Sequence, residues 1–170
     1  MNGWHDRKEI GERHEQHVMA QLRRRGWQVH PFGQGTFPAA IQTALCTVDS
    51  AVRYLPDMIA ARGPDVVMID AKTSLQGSGR YSVSVKCVTA GVHFTSVHAP
   101  VPLYFVFGDL TVLTPDEVMH YRRHSTLHRS GAYYVVTTSH AHPFDHVFGA
   151  AAEGGSQRRP QPPQDWPSAS

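Results

Sequence analysis

The chain has 170 residues and a formal net charge of +2 at pH 7, with 41% hydrophobic and 18% charged residues. That length supports one domain with a hydrophobic core, and the charge permits a nucleic-acid partner without requiring one. No apolar run approaches a membrane span, and the charged segment 1–13 lacks the apolar centre of a signal peptide. Cys46 and Cys87 form neither a disulfide framework nor a zinc-ligand spacing, so we expect two small core residues in a reducing cytoplasm.

The first predicted element is a helix over residues 8–25. Its apolar side chains fall on one stripe, and Gly26 is expected to end it before an extended segment that begins at Trp27. The glutamates Glu12 and Glu15 are three residues apart and share one face of this helix. Taken alone, both are ordinary solvent-facing helix formers.

Basic and imidazole side chains also lie on this helix. Arg23, Arg24 and Arg25 favour the helix dipole at its C-terminal end, and the same residues are placed to touch a phosphate backbone. His14 and His17 share a face, but no third ligand lies nearby in sequence, which favours surface histidines over a metal site.

Residues 30–54 carry no clear pattern. The segment 32–38 is a glycine-rich loop without the Gly-Lys-Ser/Thr ending of a phosphate-binding loop, so it does not indicate a nucleotide site. The mildly apolar segment 39–48 is either a short helix or an insertion on the substrate side. Arg53 and Tyr54 either approach a substrate or pack.

The most informative stretch is 55–73, which predicts two strands joined by a tight turn. The apolar runs 58–61 and 66–69 flank the sequence Arg-Gly-Pro at 62–64. Asp70 and Lys72 are two apart and therefore point to the same face of the second strand. Asp57 opens the first strand, and antiparallel pairing would bring it beside Asp70.

Buried charges of this kind are costly unless they are paired or bind something. Carboxylate oxygens suit a hard divalent cation such as Mg²⁺, and the ammonium of Lys72 is suited to orient water or to stabilise charge on a phosphate. The alternative is structural: Asp57 would be a turn residue, and Asp70 and Lys72 an ion pair at a strand end.

The rest of the chain alternates between strands and helices. After a polar loop over residues 73–80, which we expect to contact a substrate, a helix is predicted from about Ser82 with that serine as its N-cap. Lys86 on this helix is either a supporting cation or a solvated lysine. A buried strand is predicted at 102–108, a short strand at 111–113 and another at 132–138. Thr114 followed by proline is a strong helix start.

Histidines are frequent in the C-terminal half. His120, His124 and His128 are four apart and would line one face if the helix that begins after Thr114 continued that far. The neighbouring arginines disfavour a cation there and favour a phosphate-facing surface. Three more histidines follow the strand at 132–138 and are predicted to lie exposed in a loop: His140, His142 and His146.

The element order predicts an α/β fold, a mixed central sheet flanked by helices. We expect one domain over residues 1–149. From residue 150 the composition shifts to Gly, Ser, Gln and Pro, which predicts a disordered tail or a linker.

The Pro-Asp pair at 56–57, followed after a short hairpin by Asp-Ala-Lys at 70–72, resembles the signature of the PD-(D/E)xK nuclease superfamily, which has the restriction-endonuclease-like fold. The resemblance covers residues 8 to about 120, with 30–54 unmatched. Aspartate stands at position 70, where glutamate is commoner. Small single-domain members of this kind include Holliday junction resolvases and nucleases of phages and mobile elements.

The resemblance implies a metal-dependent nuclease that acts on DNA. Asp57 and Asp70 would hold Mg²⁺ or Mn²⁺, with the carbonyl of Ala71 as a further ligand, and Lys72 would position the attacking water. Members of the superfamily carry a glutamate on the first helix about three turns before its terminal glycine. Glu15 has that spacing, with Glu12 as the substitute.

Further implications concern the partner. The basic residues expected to contact DNA are Arg23, Arg24, Arg53, Arg80 and Lys86. A resolvase that cuts symmetric junctions would be a homodimer. Two other functions remain open at this stage: a nucleic-acid-binding module of the same fold without activity, and a metal-binding protein that uses His120, His124 and His128.

Overall fold

The structure is a computed structural model that describes residues 5–73, 79–97, 101–128 and 131–151, with the side chains of residues 5–7 and 124–128 left undescribed. The α-helices in this part of the chain are α1 (His5–Arg24), α2 (Ala39–Thr47), α3 (Val85–Val97), α4 (Pro115–Tyr121) and α5 (Phe144–Phe148). The strands are β1 (Gln28–Pro31), β2 (Met58–Arg62), β3 (Asp65–Lys72), β4 (Arg80–Ser84), β5 (Leu103–Phe107), β6 (Thr111–Leu113), β7 (His124–His128), β8 (Gly131–Thr137) and β9 (His142–Pro143).

A six-stranded mixed sheet forms the centre of the molecule, with strand order β1-β2-β3-β5-β6-β9. The pair β3–β5 is parallel and the others are antiparallel. The strands β4, β8 and β7 form a separate antiparallel sheet. Helices flank the central sheet, as the sequence predicted.

The central sheet is buried on both faces because its strands carry apolar side chains on both. On one face, Val18 and Leu22 of α1 pack with Ile69 of β3 and Phe148 of α5. On the other face, a second cluster joins β5 to α3, α4 and the smaller sheet: Tyr81, Val83, Val88, Phe105, Phe107, Leu113, Val118 and Val136. Helix α1 lies over β3, which places it above the strand that carries Asp70 and Lys72.

Several local predictions are confirmed. Gly26 follows α1 with a φ of 80°, a left-handed conformation that favours glycine at a helix end. The apolar runs of the hairpin form β2 and β3, and the runs at 102–108, 111–113 and 132–138 form β5, β6 and β8. Thr114 caps α4 through a complete capping box with Glu117. Segment 39–48, for which the sequence allowed either a short helix or an insertion, contains helix α2.

The predicted helix start at Ser82 is wrong. Residues 80–84 form strand β4, and α3 begins at Val85. Tyr81 and Val83 alternate into the second core, where both are fully buried, so packing of β-type side chains outweighed the capping preference of serine.

The predicted histidine stripe is also wrong, because α4 ends at Tyr121 and His124–His128 is strand β7. His142 and His146 do not lie in a loop: they belong to β9 and α5, although both are exposed as expected. Cys46 is exposed on α2 and is not a core residue, whereas Cys87 is partly buried.

No helix among the described residues is long and apolar enough to span a membrane. Residues 152–170 of the predicted tail over 150–170 lie outside the described part of the chain, as do residues 74–78 of the predicted substrate loop.

Candidate active site

The hairpin of β2 and β3 places two aspartates together. Met58 pairs with Ile69, so the next residues outward, Asp57 and Asp70, come to the same end of the hairpin. Oδ2 of Asp57 accepts a hydrogen bond of 2.7 Å from the backbone N–H of Ala71. The predicted meeting of the two carboxyl groups is therefore present in the structure.

The segment after β1 holds Asp57 in place. The backbone N–H groups of Phe32 and Gly33 donate to the carbonyl oxygen of Asp57, at 2.8 and 3.1 Å. A Cβ on Gly33 would lie 3.0 Å from the Asp57 Cα and 3.4 Å from its Oδ1, so any other residue at this position would require the neighbouring backbone to shift. The sequence alone did not assign a role to this loop. The feature that could have indicated one is Gly33, because glycine is often found where two backbone segments approach closely.

Lys72 faces Asp70 from two residues along β3. Its Nζ lies 2.6 Å from Oδ1 and 2.7 Å from Oδ2 of that carboxylate, and 5.3 Å from the centre of the Phe105 ring. The side chains of Lys72 and Asp70 are only 19% and 13% exposed. A largely desolvated ammonium is thus held between a carboxylate and an aromatic face.

Glu15 on α1 is the helix glutamate that lies near Asp70 and Lys72. Its side chain is partly buried and interacts electrostatically with Asp70 and Lys72. Glu12 is exposed and pairs with Lys8 at 3.7 Å on the helix surface. Between the two predicted alternatives, Glu15 is therefore the residue that the fold brings to the aspartates.

His14 joins this helix to the sheet. Its Nε2 lies 3.1 Å from the carbonyl oxygen of Val106 in β5, and the ring is partly buried. The prediction of a surface histidine is therefore wrong for His14 and holds for the exposed His17. The sequence feature that could have predicted this burial is the spacing of His14 from Val18. The two residues are four apart, so His14 lies at the edge of the apolar stripe of α1 that packs on the sheet.

The acidic cluster, formed by Asp57, Asp70, Glu15 and the ammonium of Lys72, has more acidic groups than basic ones. Burial first, and then the charge of Asp70, raise the pKa of Asp57 to about 9. Burial and the nearby Asp70 and Glu12 raise the pKa of Glu15. Burial would lower the pKa of Lys72, but the charge of Asp70, together with Cys87, Asp57 and the hydrogen bond to Asp70, holds that pKa above its ordinary value. Three carboxyl groups thus share one ammonium, which favours binding of a further cation.

The donor set fits a hard divalent cation. No group of three or more His, Cys, Asp or Glu side chains within the described residues has the spacing of a complete metal site. Asp57 and Asp70 nonetheless offer carboxylate oxygens at one place. Since both polar groups of a strand residue point to the same side, the Ala71 carbonyl faces Asp57 as its N–H does. Oxygen donors of this kind suit Mg²⁺ or Mn²⁺, with water completing the shell.

A cleft of about 450 Å³ opens beside the aspartates. Helix α1 forms one wall and residues 31–36 form the other. The cleft is lined by Lys8, Gly11, Glu12, Glu15, Pro31, Gly33, Gly35, Thr36 and Asp57. Lys8, Gly11, Gly35 and Thr36 were not singled out from the sequence, because only the tertiary packing of α1 against residues 31–36 brings them together.

The predicted DNA-contacting residues lie at several places. Arg23 and Arg24 are exposed at the end of α1, about 12 Å along the helix axis from Glu15. Arg80 and Lys86 are exposed, whereas Arg53 is partly buried. None of the five contacts Asp57 or Asp70 through a hydrogen bond or ion pair reported for the described side chains, so their roles stay predictions.

Arg25 has a structural role. Its guanidinium binds the carboxylate of Asp145 and the side chain and carbonyl of Gln21, and it lies 4.9 Å from the Phe144 ring centre. Of the arginines that end α1, this one ties the helix to α5.

Comparison with solved structures gives the fold its name. A Holliday junction resolvase from the archaeal hyperthermophile Archaeoglobus fulgidus, Hjc, matches with a TM-score of 0.52 at 16% sequence identity, covering 82% of this chain and 100% of the resolvase. The chain has the restriction-endonuclease-like fold. D212, a nuclease from a fusselovirus, matches with a TM-score of 0.48 at 12% identity, covering 87% of this chain and 90% of D212. No family model and no curated protein sequence matches the chain.

Proposed function

We propose that this protein is a metal-dependent nuclease that hydrolyses phosphodiester bonds of DNA. The observation that carries the proposal is the convergence of Asp57, Asp70 and Glu15 around the single ammonium of Lys72. A structural ion pair needs one carboxylate, and the two additional, partly buried acids are costly in their charged forms unless a cation binds there.

In the proposed site, Asp57, Asp70 and the Ala71 carbonyl would hold Mg²⁺ or Mn²⁺, and Glu15 would bind it directly or through water. The bound ion supplies charge neutralisation at the phosphate and a lower pKa for water. Lys72 is charged and largely desolvated, so its Nζ can hold the attacking water or an oxygen of the phosphate. In the reaction, a water oxygen forms a bond to phosphorus and gives a proton to solvent, one P–O ester bond breaks, and the leaving sugar oxygen takes a proton from solvent to become a hydroxyl.

DNA is the proposed substrate for two reasons. The fold is shared with a protein described as a Holliday junction resolvase, and the chain carries exposed basic residues of the kind that bind a phosphate backbone: Arg24, Arg80 and Lys86. A branched DNA substrate and a homodimeric assembly belong to the same proposal, because symmetric junctions are cut by symmetric proteins.

The test is a cleavage assay with labelled single-stranded, duplex, flap and four-way-junction DNA and with RNA, each in Mg²⁺, Mn²⁺ or chelator. Asp70→Asn and Lys72→Ala should lower the cleavage rate at least a hundredfold, about 3 kcal/mol of transition-state stabilisation. Asp65→Asn is the matched control, since Asp65 is exposed at the opposite end of the same strand. Circular dichroism would establish that all three variants are folded.

Equal cleavage by wild type and both site variants would refute the proposal. Metal-dependent cutting that both variants lose would support it, and the preferred substrate would name the subtype. Tight DNA binding without cleavage in any metal would instead identify a binding module of the same fold.

A further inference from the structure

The cleft beside the acidic cluster carries two glycines that its backbone does not require. Among the described residues, a Cβ added at Gly11 or Gly35 would have no atom within 4 Å, leaving aside its chain neighbours and, at Gly11, its own helix backbone, and neither residue has a positive φ. Gly33, in the same cleft, differs because its missing side chain makes room for Asp57. Gly11 also lies inside helix α1, where glycine is among the least favourable residues. The space in front of Gly11 and Gly35 is therefore not filled by any residue in the described part of the chain.

The two glycines face the cleft from opposite walls. Gly11 belongs to α1 and Gly35 to the segment after β1, and both line the cleft that reaches Asp57 and Glu15. Its volume of about 450 Å³ falls in the roughly 300–1,000 Å³ range of small-ligand sites. A group of nucleotide size fits between the walls, and the absence of side chains lets it approach the backbone on both sides.

The rim of the cleft has chemistry suited to a nucleotide. Lys8 carries a surface ammonium whose pairing with Glu12, at 3.7 Å between two exposed side chains, is weak enough to exchange for a phosphate. Thr36 lies on the other wall, where its hydroxyl donates to the carbonyl of Gly33 at 2.8 Å and can still accept a hydrogen bond. The floor is the acidic cluster that the proposed function assigns to metal binding and phosphodiester hydrolysis.

We infer that this cleft receives one unpaired nucleotide of the scissile strand, next to the phosphate that is cut. Neighbouring bases of a duplex are stacked about 3.4 Å apart, which leaves no space for a protein wall on each side of one nucleotide. A nucleotide that enters the cleft must leave the stack, and this costs least where the base is already unpaired. The inference rests on the proposed function for the cutting step, but the binding of the nucleotide does not depend on catalysis.

The experiment compares a perfect duplex with the same duplex carrying one unpaired nucleotide. Binding is measured by fluorescence anisotropy in chelator, and cleavage is measured in Mg²⁺. The variants Gly11→Ala, Gly11→Leu and Gly35→Leu fill the cleft in steps and from both walls. Ala20→Leu adds a leucine at an exposed position of the same helix outside the cleft and serves as the control.

Wild type and Ala20→Leu should bind the oligonucleotide with the unpaired nucleotide at least tenfold more tightly than the perfect duplex. Gly11→Leu and Gly35→Leu should lose that preference while keeping their affinity for the duplex, with a smaller loss in Gly11→Ala. Gly11→Ala should also raise the melting temperature, since alanine favours the helix, so its loss of binding cannot come from unfolding.

Two results would overturn the inference: equal binding of both oligonucleotides by wild type, or an undiminished preference in both leucine variants. If wild type shows the preference and the leucine variants lose it, but no substrate is cut in any metal, the cleft is confirmed and the proposed nuclease function fails. If wild type cleaves DNA but binds both oligonucleotides equally, the proposed nuclease function is supported and the inference about the cleft is refuted.

Discussion

Replacing Asp57 by asparagine should make the metal-free protein more stable while abolishing the proposed activity. Asparagine is close in shape to a protonated aspartate: its oxygen can still accept from the N–H of Ala71, and its amide can donate to Asp70. The variant therefore keeps the hydrogen bonds of Asp57 and removes only the tendency of this group to ionise.

The magnitude follows from the pKa of Asp57. The carboxyl has an ordinary value of 3.8 and is raised to about 9 in the folded protein by burial and by Asp70. Between these values the folded state binds more protons than the unfolded state, so this group makes the free energy of unfolding fall as pH rises from about 4 to about 9. Each pH unit above the ordinary pKa lowers the free energy of unfolding by up to about 1.4 kcal/mol. At pH 7, about three units above that value, the raised pKa of Asp57 therefore costs the folded protein up to about 4 kcal/mol.

The assay is urea denaturation of wild type and Asp57→Asn in chelator at pH 4, 7 and 9. The free energy of unfolding of the variant should equal that of wild type at pH 4 and exceed it by between about 1 and 4 kcal/mol at pH 7. The difference should be larger still at pH 9. Asp65→Asn, at the exposed end of β3, should show no such trend. Adding Mg²⁺ should stabilise wild type with release of a proton, and not the variant. A variant less stable than wild type at pH 9 would refute the reasoning.

Two further changes test the supports of the site and the fold. Gly33→Ala should lower the free energy of unfolding by about 1–3 kcal/mol, measured in urea, because the new Cβ would lie 3.0 Å from the Asp57 Cα; unchanged stability would mean that the loop can move away. Thr114→Ala removes the hydroxyl that accepts from the N–H of Glu117 and should cost about 1 kcal/mol by the same measurement. Thr114→Ser should recover most of that loss, and a serine variant as unstable as alanine would contradict a capping role.

The parts of the fold that the sequence predicted are those encoded by neighbouring residues. Two apolar runs around Arg62-Gly63-Pro64 set the register of β2 and β3, and that register alone brings Asp57 to Asp70. The start of α4 was predictable for the same reason, since Thr114 and Glu117 satisfy each other within one turn.

The parts that were missed depend on contacts between distant segments. Helix α5 is placed by a hydrogen bond of 2.9 Å from the Trp27 indole N–H to the carbonyl of Phe148, 121 residues away. The N-terminal limit of α3 depended on packing of Tyr81 and Val83 against strand β8, which no local pattern reveals. The cleft could not be predicted for the same reason, because its two walls are separated in sequence and meet only in the folded protein. Of its lining residues, only Gly33 had a sequence feature that indicated a close backbone contact.

The four side chains of the acidic cluster all lie within the first 72 residues, on α1 and on the β2–β3 hairpin: Glu15, Asp57, Asp70 and Lys72. Of the later segments, β5 contributes the Phe105 ring beneath Lys72, while β4, β7 and β8 form a sheet of their own. The acidic residues and Lys72 are thus carried by a different part of the chain from the β7–β8 hairpin. A change in the length of that hairpin would therefore leave the segments that position Glu15, Asp57, Asp70 and Lys72 unaltered.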